Sequence, residues 1–310
     1  MRLLNFGSIN IDYVYRVDHF LQGGETLEAC DRTIFMGGKG LNQSVAAVRS
    51  GVSIAHCGVL GADGQFLYDF MKEAGIDVRF LKVDENASTG HTVIQVTPEA
   101  ENAILYFAGT NHALTREHIN EALESLDEGD MVLMQNEVNG IDEILREAKK
   151  RNLYTVFNPA PYSPAVLDYP LECVDALIVN ETEAQGILGE KETDPERLLS
   201  GLCKRFNKAL VFLTLGRAGM ICSLPHSPQS FHYFKAYSVN AVDTTGAGDT
   251  FVGYALKAIM DYFTREDIGS FTRLIDEAML AAAVSVTRRG AVASIPTLKE
   301  LSEFNLKKTH

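Results

Sequence analysis

The run Ala241-Val-Asp-Thr-Thr-Gly-Ala-Gly-Asp-Thr-Phe251 concentrates residue types that can hold an anion and move a proton. Gly246, Ala247 and Gly248 carry little or no side chain, so an anion can approach their backbone. A strand is expected to end near Val242 and a helix to begin near Gly248. The first N–H groups of a helix have no partner inside it. Together with the helix dipole they form an anion site. Asp249 falls in that first turn. An acid there can simply complement the dipole. Beside a phosphate held by small residues it can also take the proton of an attacking hydroxyl. Phosphoryl transfer needs little else beyond positioning and charge neutralisation.

Three further segments carry chemistry. Gly37-Gly-Lys-Gly-Leu-Asn-Gln43 also leads into a helix, but it does not satisfy the phosphate-loop pattern G-x-x-x-x-G-K-[ST]. Alone it reads as a tight turn. Gly7-Ser-Ile-Asn-Ile-Asp12 gives it a context, because Asn10 and Asp12 share one side of the chain just after a strand. Asn10, Asp12, Lys39 and Asn42 can hydrogen-bond a ring of sugar hydroxyls. Asn180-Glu-Thr-Glu183 is a good helix cap and also a carboxylate able to order magnesium waters near a triphosphate. Thr214-Leu-Gly-Arg-Ala-Gly219 is a strand end and a glycine turn, either a hairpin turn or the floor of a nucleotide site.

Composition narrows the field. The 310 residues are 46% hydrophobic and carry a formal charge of -13. A chain this acidic repels nucleic acid, so an anionic ligand has to be met by a local site. The five cysteines form no C-x-x-C pair and are odd in number; they read as reduced thiols of a cytoplasmic protein. The first residues lack the apolar region of a signal peptide. No apolar run reaches the roughly 18 residues of a membrane span. No G-x-G-x-x-G follows the first strand, which argues against a dinucleotide-dependent dehydrogenase.

The elements that must position these residues read as follows. Strands are expected at Leu3–Phe6, Ile54–Val59, Met131–Met134, Tyr154–Phe157, Ala176–Val179 and Leu210–Thr214. Helices are expected from Leu41 to the stop at Gly51, and over Gln65–Glu73, Ile141–Lys150, Glu181–Leu188 and Pro195–Phe206. Two long helices close the chain, one with Val252, Ala255, Leu256, Ile259 and Met260 on its apolar face, the other from about Ser270 to Val286. This alternation implies a mostly parallel sheet covered on both faces. Val14–Val17 and Thr26–Phe35, turning at Gly23-Gly24, and a hairpin over Thr92–Phe107 are too polar for that sheet. They are expected to form a lid over the carboxyl ends of the strands.

These segments, in this order and spacing, resemble the ribokinase (PfkB) family of carbohydrate kinases from Asn5 to about Pro296. D-T-T-G-A-G-D-T-F is close to the family's most specific signature, and G-G-K-G-x-N-Q to its N-terminal one. Asn158-Pro-Ala-Pro161, Asn180-x-x-Glu183 and Thr287-Arg-Arg-Gly290-Ala also stand where the family has similar runs. The resemblance implies one three-layer α/β/α kinase domain spanning 1–310, with a mostly parallel central sheet and a small β-sheet lid from about 12–36 and 90–107. It implies ATP and Mg²⁺. It assigns Asn10, Asp12, Gly38, Lys39, Asn42, Glu137 and Asp249 to the sugar. To ATP it assigns Asn180, Glu183, Thr214, Gly216, Gly219 and Gly248. Gly246, Ala247 and Gly248 become the anion hole, with Asp249 as the base. A monovalent cation, K⁺, is implied at Asp243, Thr245, Ser285, Arg288, Gly290 and Ser294, several of them through backbone carbonyls.

The family's lid doubles as a dimer clasp, so a homodimer is implied, with Tyr13, Tyr15, Ile34, Ile94, Leu105 and Phe107 as apolar candidates on the two lid faces. Three positions depart from the pattern. Met279 replaces a histidine near the adenine, and Thr92 and Tyr106 replace small or aliphatic lid residues. D-ribose is the leading substrate. Deoxyribose, fructose, 2-keto-3-deoxygluconate and adenosine are the alternatives, and a non-catalytic sugar-binding regulator is the reading from another class.

Overall fold

The computed structural model describes residues 1–99, 101–225 and 230–308, with side chains as far as Phe304. In chain order the elements are β1 (Leu3–Phe6), β2 (Asn10–Arg16), β3 (Asp31–Gly37), α1 (Lys39–Arg49), β4 (Ala55–Gly61), α2 (Gln65–Glu73) and β5 (Asp77–Asp84). Then come β6 (Gly90–Val96), β7 (Asn102–Phe107), α3 (Arg116–Leu123), β8 (Met131–Gln135), α4 (Ile141–Lys150), β9 (Tyr154–Asn158), β10 (Ala176–Asn180) and α5 (Glu181–Leu188). The rest are α6 (Pro195–Arg205), β11 (Leu210–Thr214), β12 (Met220–Ser223), β13 (Phe231–Phe234), α7 (Ala247–Arg265), α8 (Ile268–Ser285) and α9 (Leu298–Lys308).

Among the described residues the main sheet has nine strands in the order β13-β12-β11-β10-β9-β8-β1-β4-β5. From β11 to β5 every pairing is parallel, while β12 and β13 run antiparallel at one edge. Buried strands alternate between two apolar layers. Leu3 and Leu133 join α1, α7 and α8 through residues such as Leu41, Leu256 and Phe271. Leu4 and Val132 join α3 to α6 through Ile119, Leu145, Ile187 and Leu202. Three layers result. From β1 the chain builds outward through β4 and β5 on one side and through β8 to β11 on the other. The strand order therefore reverses between β1 and β8, and a crevice opens outside their carboxyl ends.

The second sheet has the order β3-β2-β6-β7. Its register places Asp12 opposite Phe35 and Thr92, and Thr92 opposite Tyr106. Tyr13 pairs with Ile34 and Val93 in the next row, so these side chains occupy the other face. The lid extends farther into the body than its polarity indicated, because β2 already begins at Asn10.

Two expectations are corrected. Thr26–Cys30 is not strand; residues 17–30 form a long excursion, and pairing resumes only at Asp31, although the turn falls at Gly24 (φ +85°) as expected. Nor does a strand end near Val242. The N–H groups of Val242 and Asp243 both donate to Val286 O, 2.7 and 3.2 Å away, so this segment is anchored on the end of α8 rather than on a sheet. The elements missed from sequence are β5, β12, β13, α3 and α9. β5 is an edge strand whose apolar residues are interrupted by Arg79 and Lys82. Residue 100, which the sequence places between β6 and β7, lies outside the described residues. Among the described residues no helix is long and apolar enough to cross a membrane.

Candidate active site

Gly246 caps α7 in the left-handed region, φ +75°, where glycine is favoured. A Cβ there would also stand 3.1 Å from Ala291. At Gly248 an added Cβ would meet nothing, so packing does not demand a glycine; its absence leaves the first turn of α7 open. Asp249, in that turn, is buried. Asn42 Nδ2 donates to its Oδ2 at 2.8 Å and Gln43 Nε2 to its Oδ1 at 2.9 Å.

Both donors come from α1, and close helix packing delivers them. A Cβ on Gly253 of α7 would lie 2.3 Å from Ala46 Cβ and 2.6 Å from Gln43 O. A glycine at this position lets the two helices approach. At the other end of α1, a Cβ on Gly40 would lie 2.4 Å from Gly7 Cα, so the helix start sits directly on the end of β1.

The crevice between β1 and β8 is bridged by Ser8, Glu137 and Lys39. Glu137 Oε2 accepts from Ser8 Oγ at 2.5 Å and from the Lys39 N–H at 3.1 Å. Gly38 caps α1 at φ +92° and starts the helix at Lys39. Asp249 raises the Lys39 ammonium pKa most; burial opposes it, and Glu137 and Glu183 add to the rise. Burial raises the Glu137 pKa despite Lys39 and the Ser8 hydrogen bond. One ammonium thus serves three carboxylates from three parts of the chain.

Above this crevice stands the base of the lid. Burial raises the Asp12 pKa, opposed by Thr92 Oγ1, which donates to Asp12 Oδ1 at 2.6 Å. Asn10 is buried and its Oδ1 accepts from Asn111 Nδ2 at 2.7 Å. The Tyr106 phenol is pushed up to about 12 by burial and by the Glu137 charge, against a hydrogen bond with Asn111. Tyr106 stands on the same lid face as Asp12 and Thr92 and is still 41% exposed.

Asn180 and Thr214 face each other across the ends of β10 and β11. Asn180 and Glu183 form a capping box: Asn180 Oδ1 accepts from Glu183 N at 2.9 Å, and Glu183 Oε2 accepts from Asn180 N at 2.9 Å. Burial raises the Glu183 pKa, opposed by the Asn180 N–H and by Lys39. Thr214 leads into the Gly216 and Gly219 turn between the antiparallel β11 and β12. A Cβ on Gly219 would lie 2.0 Å from Phe234 O, whereas one on Gly216 would meet nothing.

Asp243 ties its loop to the segment after α8: its Oδ1 accepts from Thr245 N and its Oδ2 from Gly290 N, both at 2.9 Å. Burial pushes this carboxyl up, but the Thr245 side chain, these two backbone N–H groups and the Arg289 charge together outweigh it and hold it below its ordinary value. Three side chains expected in this region turn elsewhere. Ser285 Oγ donates to Ala282 O, Ser294 Oγ to Ala291 O, and Arg288 pairs with Glu300 at 2.6 Å. Only their backbone remains for a cation. Carbonyl oxygens suit K⁺. Among the described residues no group of three or more His, Cys, Asp or Glu side chains is placed to hold a metal. A magnesium ion that keeps its waters and binds mainly through phosphates needs no such cage, and Glu183 is a carboxylate of the right kind.

Sequence reading missed Asn5, His56, Asn111 and Gln135, all buried. Asn5 and Gln135 did leave a signal: each is an amide in a strand otherwise made of apolar residues.

Residues 2–298 match the pfkB family carbohydrate kinase pattern. The chain is 34% identical over 304 residues to a ribokinase of Haemophilus influenzae, covering 96% of each. It is 29% identical to a deoxyribokinase of Salmonella typhi, covering 98% of each. A crystal structure of ribokinase from Cryptococcus neoformans in complex with ADP superposes with a TM-score of 0.81 at 30% identity, covering 98% of this chain and 99% of that one. The chain has the ribokinase-like α/β fold and belongs to the pfkB family of carbohydrate kinases, phosphotransferases with an alcohol group as acceptor.

Proposed function

We propose that this kinase transfers the γ-phosphoryl group of ATP to the 5-hydroxyl of D-ribose. The observation that carries this reading is the convergence of Asn42, Lys39 and Glu137 on Asp249, beneath the lid residues Asn10 and Asp12. Asn10, Asp12, Gly38, Lys39, Asn42 and Glu137 hold the sugar. Asp249 takes the proton of the attacking hydroxyl as the new O–P bond forms and the bond to the bridging oxygen of ADP breaks. The N–H groups at Gly246, Ala247 and Gly248, of which the Ala247 N–H also donates to Thr244 O at 3.3 Å, stabilise the charge on the transferring group. Asn180, Thr214, Gly216 and Gly219 line the nucleotide side. Mg²⁺, when bound, neutralises phosphate charge; Glu183 orders its waters. The backbone of 243–245 and 285–294 would hold K⁺, whose charge would stiffen the loop that leads into Gly246.

The experiment is ADP release against ribose, 2-deoxyribose, fructose, 2-keto-3-deoxygluconate and adenosine, in K⁺, Na⁺ and tetramethylammonium buffers. Ribose should give the highest kcat/KM, and K⁺ the highest rate. Asp249→Asn should bind sugar and lose roughly 10²–10⁴ in kcat. Near-normal kcat in that variant would overturn the base assignment.

A second reading is 2-deoxyribose. Tyr106 is the observation that favours it, because a phenol on the Asp12 face of the lid, in hydrogen-bond reach of Asn111, leaves less room for hydroxyls. A kcat/KM ratio favouring 2-deoxyribose over ribose selects it.

The lid supports pairing with a second copy. Ile34, Leu105 and Phe107 share the face away from Asp12 and are 43%, 70% and 52% exposed. Tyr13 and Tyr15 lie on that face too, whereas Ile94 lies on the Asp12 face. An apolar face of this kind is normally covered, and a two-fold axis covers it with itself.

A further inference from the structure

Asp249 stands at one end of a buried hydrogen-bond chain that runs deep into the protein. Gln43 Nε2 donates to Asp249 Oδ1 at 2.9 Å and to Asn158 Oδ1 at 3.0 Å. Gln43 Oε1 accepts from Gln135 Nε2 at 2.8 Å, and the same Gln135 nitrogen donates to Asn5 Oδ1 at 3.0 Å. Asn5 Nδ2 donates to Ser44 Oγ and to Gly40 O, both at 2.9 Å. Ser44 Oγ lies 2.9 Å from His56 Nδ1, and His56 Nε2 lies 3.0 Å from Gly7 O.

Donor and acceptor arithmetic fixes the direction of every link. A carboxylate and a backbone carbonyl only accept. His56 must therefore carry its proton on Nε2 to satisfy Gly7 O, which leaves Nδ1 to accept from the Ser44 hydroxyl. At the other end, Gln43 must turn its NH₂ toward Asp249. A chain with acceptors at both ends needs one member that donates both ways, and Gln135 is that member. Both of its N–H groups are used, and its buried Oε1 has no partner among the described residues. An orphaned buried carbonyl is costly; here it accompanies the aiming of both hydrogens outward.

We propose that Gln43 is a positioning residue for the Asp249 base, and that Gln135, backed by Asn5, Ser44 and a neutral His56, holds the Gln43 amide in the orientation that presents N–H to the carboxylate. This rests on the reading of Asp249 as the base. A flipped Gln43 would set oxygen against Asp249 Oδ1 and Asn158 Oδ1, and nitrogen against nitrogen at Gln135. With the amide held, Asp249 is left with no freedom to rotate its carboxyl away from the incoming hydroxyl. The charged groups that act on Asp249 from its neighbours are Lys39, Glu137 and Glu183. None lies in the relay, so changing Gln43 leaves them in place. Burial keeps His56 at about 4, which matches its place as a neutral link.

The test uses Gln43→Met, which removes the donor at similar volume, and Gln43→Glu, which puts a second carboxyl against Asp249. Both should lower kcat tenfold or more and keep the KM for the best sugar within about twofold. Gln43→Glu should also shift the acidic limb of the kcat–pH profile upward, since two adjacent carboxyls share a proton. A parallel loss in kcat and sugar affinity with an unmoved pH profile marks Gln43 as merely structural and overturns the proposal. Asp249→Asn is measured alongside. If it keeps its kcat, the base reading itself has failed; if it loses kcat while both Gln43 variants stay normal, only the present proposal has. A test without substitution is nitrogen NMR of the histidine-labelled wild-type protein. His56 should appear as the neutral Nε2–H tautomer without titration from pH 6 to 8. An Nδ1–H tautomer or a charged ring reverses the relay and overturns the proposal even if neither variant folds.

Discussion

The carboxylate of Asp12 occupies the space that a side chain on Gly37 would need: a Cβ built on Gly37 lies 1.9 Å from Asp12 Oδ2. The two residues sit diagonally across β2 and β3, at the foot of the lid. The glycine is required for room, since it is not among the residues with positive φ. Gly37→Ala should displace Asp12 and break its bond from Thr92. Sugar KM should rise about tenfold, roughly 1.4 kcal/mol, with a smaller change in kcat. Steady-state kinetics on the best sugar checks this; an unchanged KM means that Asp12 does not contact the sugar.

Glu137 offers a pH test. Burial raises its pKa above the ordinary value of 4.5. The folded state therefore binds this proton more tightly than the unfolded state, so stability falls as pH rises from the ordinary value and the loss is complete once pH passes the raised pKa. Glu137→Gln mimics the protonated form. Its melting temperature relative to wild type should climb as pH rises from about 4 through the raised pKa and then level off, while its activity falls. A flat difference between pH 4 and 8 contradicts the assigned burial cost. Stability gained by removing a buried functional charge is a familiar trade.

Asn180 has two separable roles. As the cap of α5 it satisfies the Glu183 N–H, and replacing such a cap by alanine costs about 1 kcal/mol. Asn180→Ala should lower unfolding stability by that amount without nucleotide present. If Asn180 also touches ATP, KM for ATP should rise well beyond what a frayed helix end explains. Urea unfolding and ATP kinetics on the same sample distinguish the two.

Leu105, 70% exposed on the face turned away from Asp12, probes the lid. Leu105→Glu should leave the main body folded and convert a dimer to a monomer in light scattering at micromolar concentration. Sugar binding should weaken, or ATP hydrolysis without sugar should increase, because a loosened lid admits water. A wild-type chain that is monomeric and fully active defeats the clasp, though not the kinase.

Much of the architecture was legible in the chain itself. Met131–Gln135 and Leu210–Thr214 are short apolar runs, and Gln65–Glu73 and Ile141–Lys150 have helical periodicity; these patterns are local. The helix start at Ala247, with Gly246 as its cap and Asp249 in its first turn, was legible for the same reason, since small residues and an acid mark it locally. Val242 was misread because a short apolar pair looks like a strand end, yet its backbone partner is Val286 O, 44 positions further along the sequence. Asn5 and Gln135 gain their roles only because the parallel pairing of β1 with β8 sets them diagonally on one face, within hydrogen-bond distance. The same pairing put Ser8 against Glu137, and the helix contact at Gly253 put Gln43 against Asp249. Local periodicity encodes which residues form an element and which face is apolar. It carries no information about which buried polar group will meet which, because that depends on contacts between segments 35 to 206 residues apart, and only the packed tertiary structure decides them.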